Sequence, residues 1–284
     1  MKGGAIVVCV EGVKYRAAFD RIFLPGIRDF ALRHQYELIV VAVSEVRERL
    51  RGEPANATLA KVPPSWLKLF AIESVQARGF RHILYLDADV FVSAVAEDYF
   101  ALLPEETVSA IIEETIPLTK AHLWREACGL APSEDFRMIN AGVMYLSGDA
   151  GAAFIWDVIA FIRENRTKID FRTRVFEQPI VSDFMLRHPA FKRMRYLYNT
   201  LLYSDRGHRL PEVQRIRSTV NRFCSRVPPA SRLRTIWFSV LFRMCGTYAR
   251  GNRTLMSSLL DEGRFIHFAG MNDEFCITRS FIRR

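Results

Sequence analysis

The stretch Arg81-His82-Ile83-Leu84-Tyr85-Leu86-Asp87-Ala88-Asp89-Val90-Phe91-Val92 places two carboxylates, with one alanine between them, inside an otherwise apolar run. Ionised carboxylates are costly to bury unpaired, so Asp87 and Asp89 are expected where a buried strand emerges into a cleft. A strand end or tight turn can aim both at one point, and in a regular strand alternate residues also share a face. Two hard oxygen ligands on one side suit Mg²⁺ or Mn²⁺, cations that also accept phosphate oxygens. The competing explanation is an acidic loop after a sheet strand, but an ordinary turn would be polar throughout. A second group stands at Asn140-Ala141-Gly142, ahead of the apolar Val143 to Leu146. An amide in an apolar run needs hydrogen-bond partners, and a glycine lets backbone approach closely.

The elements that must position these residues alternate between strand and helix. Ala5 to Val10 is predicted as a first strand, apolar on both sides as in a parallel sheet. Glu11, Gly12 and Tyr15 follow at its carboxyl end, where open α/β sheets bind ligands. Phe19, Ile22, Phe23, Ile27 and Phe30 predict a helix interrupted at Pro25-Gly26. Glu37 to Val43 is a second strand, and Arg47 to Asn56 reads as a charged, turn-rich surface loop. Ser65 is the expected N-cap of a helix carrying Trp66, Leu69, Ile72 and Val75 and stopping near Gly79. That helix leads into the Asp-Ala-Asp strand, a β-α-β alternation typical of a doubly wound sheet. Further strands are expected at Thr107 to Glu113 and within Arg137 to Ser147, and a helix at about Ala152 to Arg163.

Half of the 284 residues are hydrophobic and a quarter charged, an ordinary globular composition without repeats or low-complexity tracts. The chain is long enough for a sizeable core. The apolar stretch Ile6 to Val10 is too short for a secretory signal. No apolar run reaches the ~18 residues of a membrane span. Five scattered cysteines, without a Cys-x-x-Cys pair, predict reduced thiols and a cytoplasmic protein. The net charge of +9 is local: residues 206–253 hold eleven arginines and one acid, Glu212, so the rest is about neutral. Leu233, Ile236, Trp237, Val240, Leu241 and Met244 have helical spacing there. Such a stripe fits either a core-packing helix or an interfacial helix on anionic lipid at the inner face of a membrane. Nucleic acid is not an expected partner.

Leu-Tyr-Leu-Asp-Ala-Asp resembles the Asp-x-Asp motif of GT-A-fold nucleotide-sugar glycosyltransferases, most nearly the retaining glycogenin and lipopolysaccharide galactosyltransferase type. There is some likeness also to the galactomannan galactosyltransferase and xylosyltransferase group. The resemblance implies a Rossmann-like α/β mixed sheet flanked by helices, and Mn²⁺ or Mg²⁺ bound by Asp87 and Asp89. It further implies that Glu11 and Tyr15 hold the nucleotide base and ribose; taken singly, each fits a solvated loop with a packing tyrosine equally well. Lys68 matches a basic residue near the donor phosphates, although by itself it is a lysine on a helix surface. Asn140 and Gly142 match an Asn-x-Gly that lines the sugar site, and Glu177-Gln178 an acid-Gln pair at a helix start beside the reacting sugar. Tyr198-Asn199 matches the short motif that follows. Phe265-Ile266-His267-Phe268-Ala269-Gly270 matches a C-terminal His-x-x-Gly, with His267 the third metal ligand and Gly270 beside the donor. A lone histidine in an apolar run is otherwise a core residue. One departure stands out: lipopolysaccharide galactosyltransferases carry a lysine three residues after this glycine, where this chain has Asp273. Diphosphate binding then falls on the metal, Lys68 or an arginine such as Arg279.

These readings predict a nucleotide-sugar-binding and catalytic domain over 1–204, an Arg-rich helical insertion over 205–255, and a C-terminal return over 256–284. The predicted activity is transfer of a hexose from a UDP-linked donor to a glycan or glycolipid acceptor, and the resemblance implies retention. Glu177 and Gln178 are the expected catalytic pair. A sugar-phosphate nucleotidyltransferase would need a glycine-rich phosphate loop after the first strand, whereas Glu11-Gly12 stands there. A non-catalytic module that binds anionic lipid or nucleic acid would leave the ordered motifs without a purpose.

Overall fold

The computed structural model describes residues 2–12, 16–17, 19–113, 118–131, 133, 136–171, 177–194, 200–201 and 265–267. Its centre is a mixed sheet of six strands. These are β1 (Lys2–Val10), β2 (Glu37–Ala42), β3 (Phe80–Asp87), β5 (Thr107–Ile112), β6 (Ile139–Ser147) and β7 (Phe191–Arg193), in the order β2-β1-β3-β6-β5-β7. The short β4 (Val90–Val92) belongs to a second sheet. Strands β1, β2 and β3 are parallel, and β6 runs antiparallel to both of its neighbours. That single reversal brings the amino-terminal end of β6, with Asn140 and Gly142, beside the carboxyl ends of β3 and β5. Leu86 pairs with Val143 there, and Ile111 with Asn140.

Helices cover both faces, as the alternation along β1 requires. Ala5 and Val7 point into one core, and Ile6, Val8 and Val10 into the other. The first core is filled by α2 (Val43–Gly52), α3 (Pro64–Gln76), α5 (Gly148–Glu164) and α6 (Gln178–Arg187). The second is filled by α1 (Leu24–Arg33), through Leu24, Ile27 and Phe30, together with Val90, Val92 and Phe265. Helix α4 (Leu118–Ala127) lies between β5 and β6 in sequence. The α/β mixed sheet flanked by helices expected from the sequence is thus the architecture found.

The smaller sheet has the order β4-β9-β8, with β8 at Thr200–Leu201 and β9 at Phe265–His267. Val90 pairs with His267 across antiparallel β4 and β9. Asp89 directly precedes Val90, so this ladder brings the histidine to the acidic turn. Gly26 makes room for the arrangement: a Cβ on it would lie 2.6 Å from the Val92 carbonyl oxygen.

Two local expectations change and a third is refined. Residues 43–52 form a helix, where a loop was predicted from residue 47 onward, because Val43, Val46 and Leu50 make one buried stripe beneath the charges. The stretch predicted to break at Pro25-Gly26 does divide there: a π-helical turn, Phe19–Phe23, ends where α1 begins, and Pro25 sits in the first turn of α1, where no backbone donor is lost. Ser65 is inside α3, which Pro63 precedes as cap residue. Tyr15, Tyr198-Asn199, the 205–255 segment, Gly270, Asp273 and Arg279 lie outside the described residues. Among the described residues, no helix is long and apolar enough to cross a membrane.

Candidate active site

Strand β3 ends at Asp87, and a two-residue turn carries Asp89 back toward the same space before β4 begins. His267 completes the group: one ligand atom from each of Asp87, Asp89 and His267 lies within 4.8 Å of the other two. His267 Nε2 stands 3.2 Å from Asp89 Oδ1 and 3.6 Å from Asp87 Oδ2. The histidine is buried, whereas both carboxylates are half-exposed, so the cluster opens to solvent on the acidic side. Burial alone would disfavour a charged His267, but the Asp89 and Asp87 carboxylates together outweigh it and raise the histidine pKa. Burial likewise opposes ionisation of Asp89, and His267 reverses that and lowers its pKa.

The other face of the imidazole is held from β6. His267 Nδ1 lies 3.0 Å from Asn140 Oδ1, which also accepts the Gly142 N–H at 3.0 Å. Asn140 Nδ2 reaches Glu113 Oε2 at 3.4 Å. The ring rests on Gly142, where an added Cβ would come within 2.0 Å of His267 Cε1.

Asp87 is held by its second oxygen. Tyr85 donates its hydroxyl hydrogen to Asp87 Oδ1 at 2.7 Å, and Lys68 Nζ stands 3.4 Å from the same oxygen. Burial first, and then Asp87, push the Tyr85 pKa well up, so it remains a donor. Tyr85 did not emerge from the sequence as a site residue. Its position two before Asp87 on one strand, hence on the same face, was the available signal.

Lys68 is not on the helix surface. It is buried, with Nζ 2.5 Å from Glu177 Oε1, and it donates to the Ala141 carbonyl at 3.1 Å. Together with Asp87 these contacts use all three donors of an ammonium group. Burial opposes the charge, but Asp87 and Glu177 more than compensate and raise the Lys68 pKa. Glu177 is buried as the residue preceding α6, and burial, partly countered by Lys68, raises its pKa. Its Oε2 has no hydrogen-bond partner among the described residues. Gln178 follows, half-buried, as the first residue of α6. Ser182 ties that turn to β6: its hydroxyl donates to the Gln178 carbonyl at 2.5 Å and accepts the Ile139 N–H at 2.9 Å.

Glu11 sits exposed beyond β1, paired with Arg47 Nη2 at 3.1 Å. The structure therefore brings Asp87, Asp89, His267, Asn140, Gly142, Lys68 and Glu177 into one contiguous group, with Gln178 adjoining through the chain. Two carboxylate oxygens and one imidazole nitrogen form a donor set that could hold a metal ion.

No protein-family model matches the sequence, and no curated protein matches it significantly. Among solved structures, the chain is similar to mouse xyloside xylosyltransferase 1 in its apo form at 14% identity, covering 70% of this chain and 88% of that one, with a TM-score of 0.44. It is also similar to a glycosyltransferase involved in the glycosylation of the major capsid of PBCV-1, at 14% identity, 94% and 93% coverage and a TM-score of 0.46. A third similarity is to the galactosyltransferase LgtC in complex with donor and acceptor sugar analogs, at 14% identity, 94% and 87% coverage and a TM-score of 0.46.

Proposed function

We propose that the chain is a metal-dependent glycosyltransferase that moves a hexose from a nucleotide diphosphate sugar, UDP-linked, to a glycan or glycolipid acceptor with retention of configuration. The observation that carries this reading is the convergence of Asp87, Asp89 and His267 on one point at the carboxyl edge of the sheet, in the motif order the sequence resemblance implies. Asp87 Oδ2, Asp89 Oδ1 and His267 Nε2 would hold the cation, and Tyr85 and Asn140 keep two of those ligands oriented. When bound, Mn²⁺ or Mg²⁺ neutralises the charge that builds on the diphosphate as the bond from anomeric carbon to oxygen breaks.

The chain's own residues supply the rest. Glu177 offers one buried oxygen that has no partner among the described residues, an acceptor suited to a sugar hydroxyl. Lys68 favours the ionised form of that carboxylate against burial and joins it to Asp87, so the sugar and metal positions share one cation. Gln178, the first residue of α6 and next to Glu177, is the side chain we assign to orienting the reacting sugar. The arginine excess over 206–253 suits reversible attachment to anionic lipid, which would bring a glycolipid acceptor of the cytoplasmic membrane face within reach.

Thermal-shift titrations of nucleoside diphosphates with and without Mn²⁺ test this directly, because a ligand that binds the native state raises its melting temperature. Mn²⁺ with a uridine diphosphate should stabilise more than either alone, and EDTA should abolish the effect. An equal shift in Asp89→Asn, or none with any nucleotide, would contradict the proposal. Release of pyrophosphate from a nucleoside triphosphate and a sugar phosphate would instead identify a nucleotidyltransferase.

A further inference from the structure

An imidazole between two carboxylates on one side and an amide on the other has a defined hydrogen-bond direction. Asn140 Nδ2 faces the Glu113 carboxylate at 3.4 Å, which only the amine end of the amide satisfies. The oxygen end is therefore the one 3.0 Å from His267 Nδ1, and it also takes the Gly142 N–H. That oxygen draws hydrogen to Nδ1, whereas Asp89 Oδ1, 3.2 Å from Nε2, draws it to Nε2. A neutral imidazole carries a single N–H, so once a cation stands between Nε2 and the carboxylates, that hydrogen is the one on Nδ1 and Nε2 offers its lone pair. Nε2 is also the atom that faces Asp87 and Asp89.

We propose that Asn140 is a positioning residue for His267: its amide oxygen selects the Nδ1–H tautomer and so presents Nε2 to a divalent cation. The inference rests on the metal reading above but differs from the sugar-lining role implied for Asn140. The amide oxygen that would meet a hydroxyl is committed to the histidine and to its own turn. The same three residues complete the device. Gly142 supplies a flat seat that no side chain could share with the ring, and the Ala141 carbonyl fixes Lys68. Partners of this kind are worth roughly 10- to 100-fold in metal affinity.

The direct test is ¹⁵N NMR of metal-free, ¹⁵N-histidine-labelled protein at a pH where His267 is neutral, with its signals assigned by loss in His267→Gln. Because Asp89 competes for the hydrogen at Nε2, the proposal expects an Nδ1–H population in the wild type that falls in Asn140→Ala; a wild type wholly in the Nε2–H form, or equal populations in the two proteins, overturns it. Mn²⁺ binding, followed by the EPR signal of the free ion with no nucleotide present, gives a second readout. Asn140→Ala should raise the Mn²⁺ Kd about 10- to 100-fold, and an unchanged Kd counts against the proposal. The exchange variant Asn140→Asp with Glu113→Gln keeps an acceptor on Nδ1 and a donor toward it. It should restore Mn²⁺ binding, and failure to do so also counts against the proposal. Should Asn140→Ala not fold, the exchange variant and the ring-nitrogen signals still decide. A wild-type protein that binds no Mn²⁺ would sink the functional reading, whereas the tautomer measurement judges Asn140 independently.

Discussion

At the scale of single residues, two of the three proposed ligand side chains, Asp87 and His267, are held by a second contact of their own. Asp87 gives one oxygen to Tyr85 and Lys68, and the other faces His267. Replacing Asp89 by Asn keeps shape but removes a charged ligand, and transfer should fall by about 100-fold or more, near 3 kcal/mol of lost transition-state stabilisation. Donor-dependent turnover at saturating Mn²⁺ measures this. His267 adds a pH signature. Its pKa is raised in the metal-free protein by Asp89 and Asp87. The protonated pair therefore stabilises the fold fully below the ordinary histidine value of about 6.5 and is lost as pH rises through the raised value. Mn²⁺ must displace that proton, so its affinity should weaken as pH falls through the same range. Melting curves against pH, in EDTA and in Mn²⁺, should diverge toward alkaline pH; parallel curves would mean that no cation replaces the proton. The Asp87-x-Asp89 pair was legible because charge inside an apolar strand has few uses. The seat on Gly142 was not, because the ring it supports arrives from the far end of the chain.

At the scale of elements, Lys68 fastens α3 to β3, β6 and the start of α6. Removing it leaves Glu177 buried and unpaired, and Lys68→Met should cost about 3–5 kcal/mol in urea denaturation. Adding Glu177→Gln should recover part of that loss, since the stranded charge is then gone. A Lys68→Met protein of native stability would show the pair to be solvated. The small β4–β9 ladder is the second device. Gly26→Ala would push a methyl group against the Val92 carbonyl, destabilising by about 1–3 kcal/mol, as overpacking does. Because β4 pairs directly with His267, Mn²⁺ affinity should fall with it. Most strands were legible from their apolar runs, β6 and β3 above all. Helix α2 was obscured because charged residues outnumber the three apolar ones that anchor it. The commitment of Lys68 was equally hidden, since sequence spacing places it on a helix without showing which neighbours face it.

At the scale of the molecule, one reversed strand creates the site. Antiparallel β6 carries Asn140 to the edge where β1 and β3 end, and α6 and β9 deliver Glu177 and His267 to the same edge. The order of motifs along the chain made that gathering foreseeable, but not the contacts within it. The basic segment predicts a separate behaviour: cosedimentation with anionic vesicles that salt weakens and neutral lipid abolishes. Protein remaining in the supernatant at low salt would remove the membrane proposal and leave the transferase reading intact. The central claim is tested most directly by the release of nucleoside diphosphate from a panel of nucleotide sugars, wild type against Asp89→Asn, in Mn²⁺ and in EDTA. At least one donor should be consumed by the wild type in Mn²⁺, with little or no release in EDTA or by the variant. Release that survives both chelation and the loss of Asp89, or no release from any donor, would contradict the account.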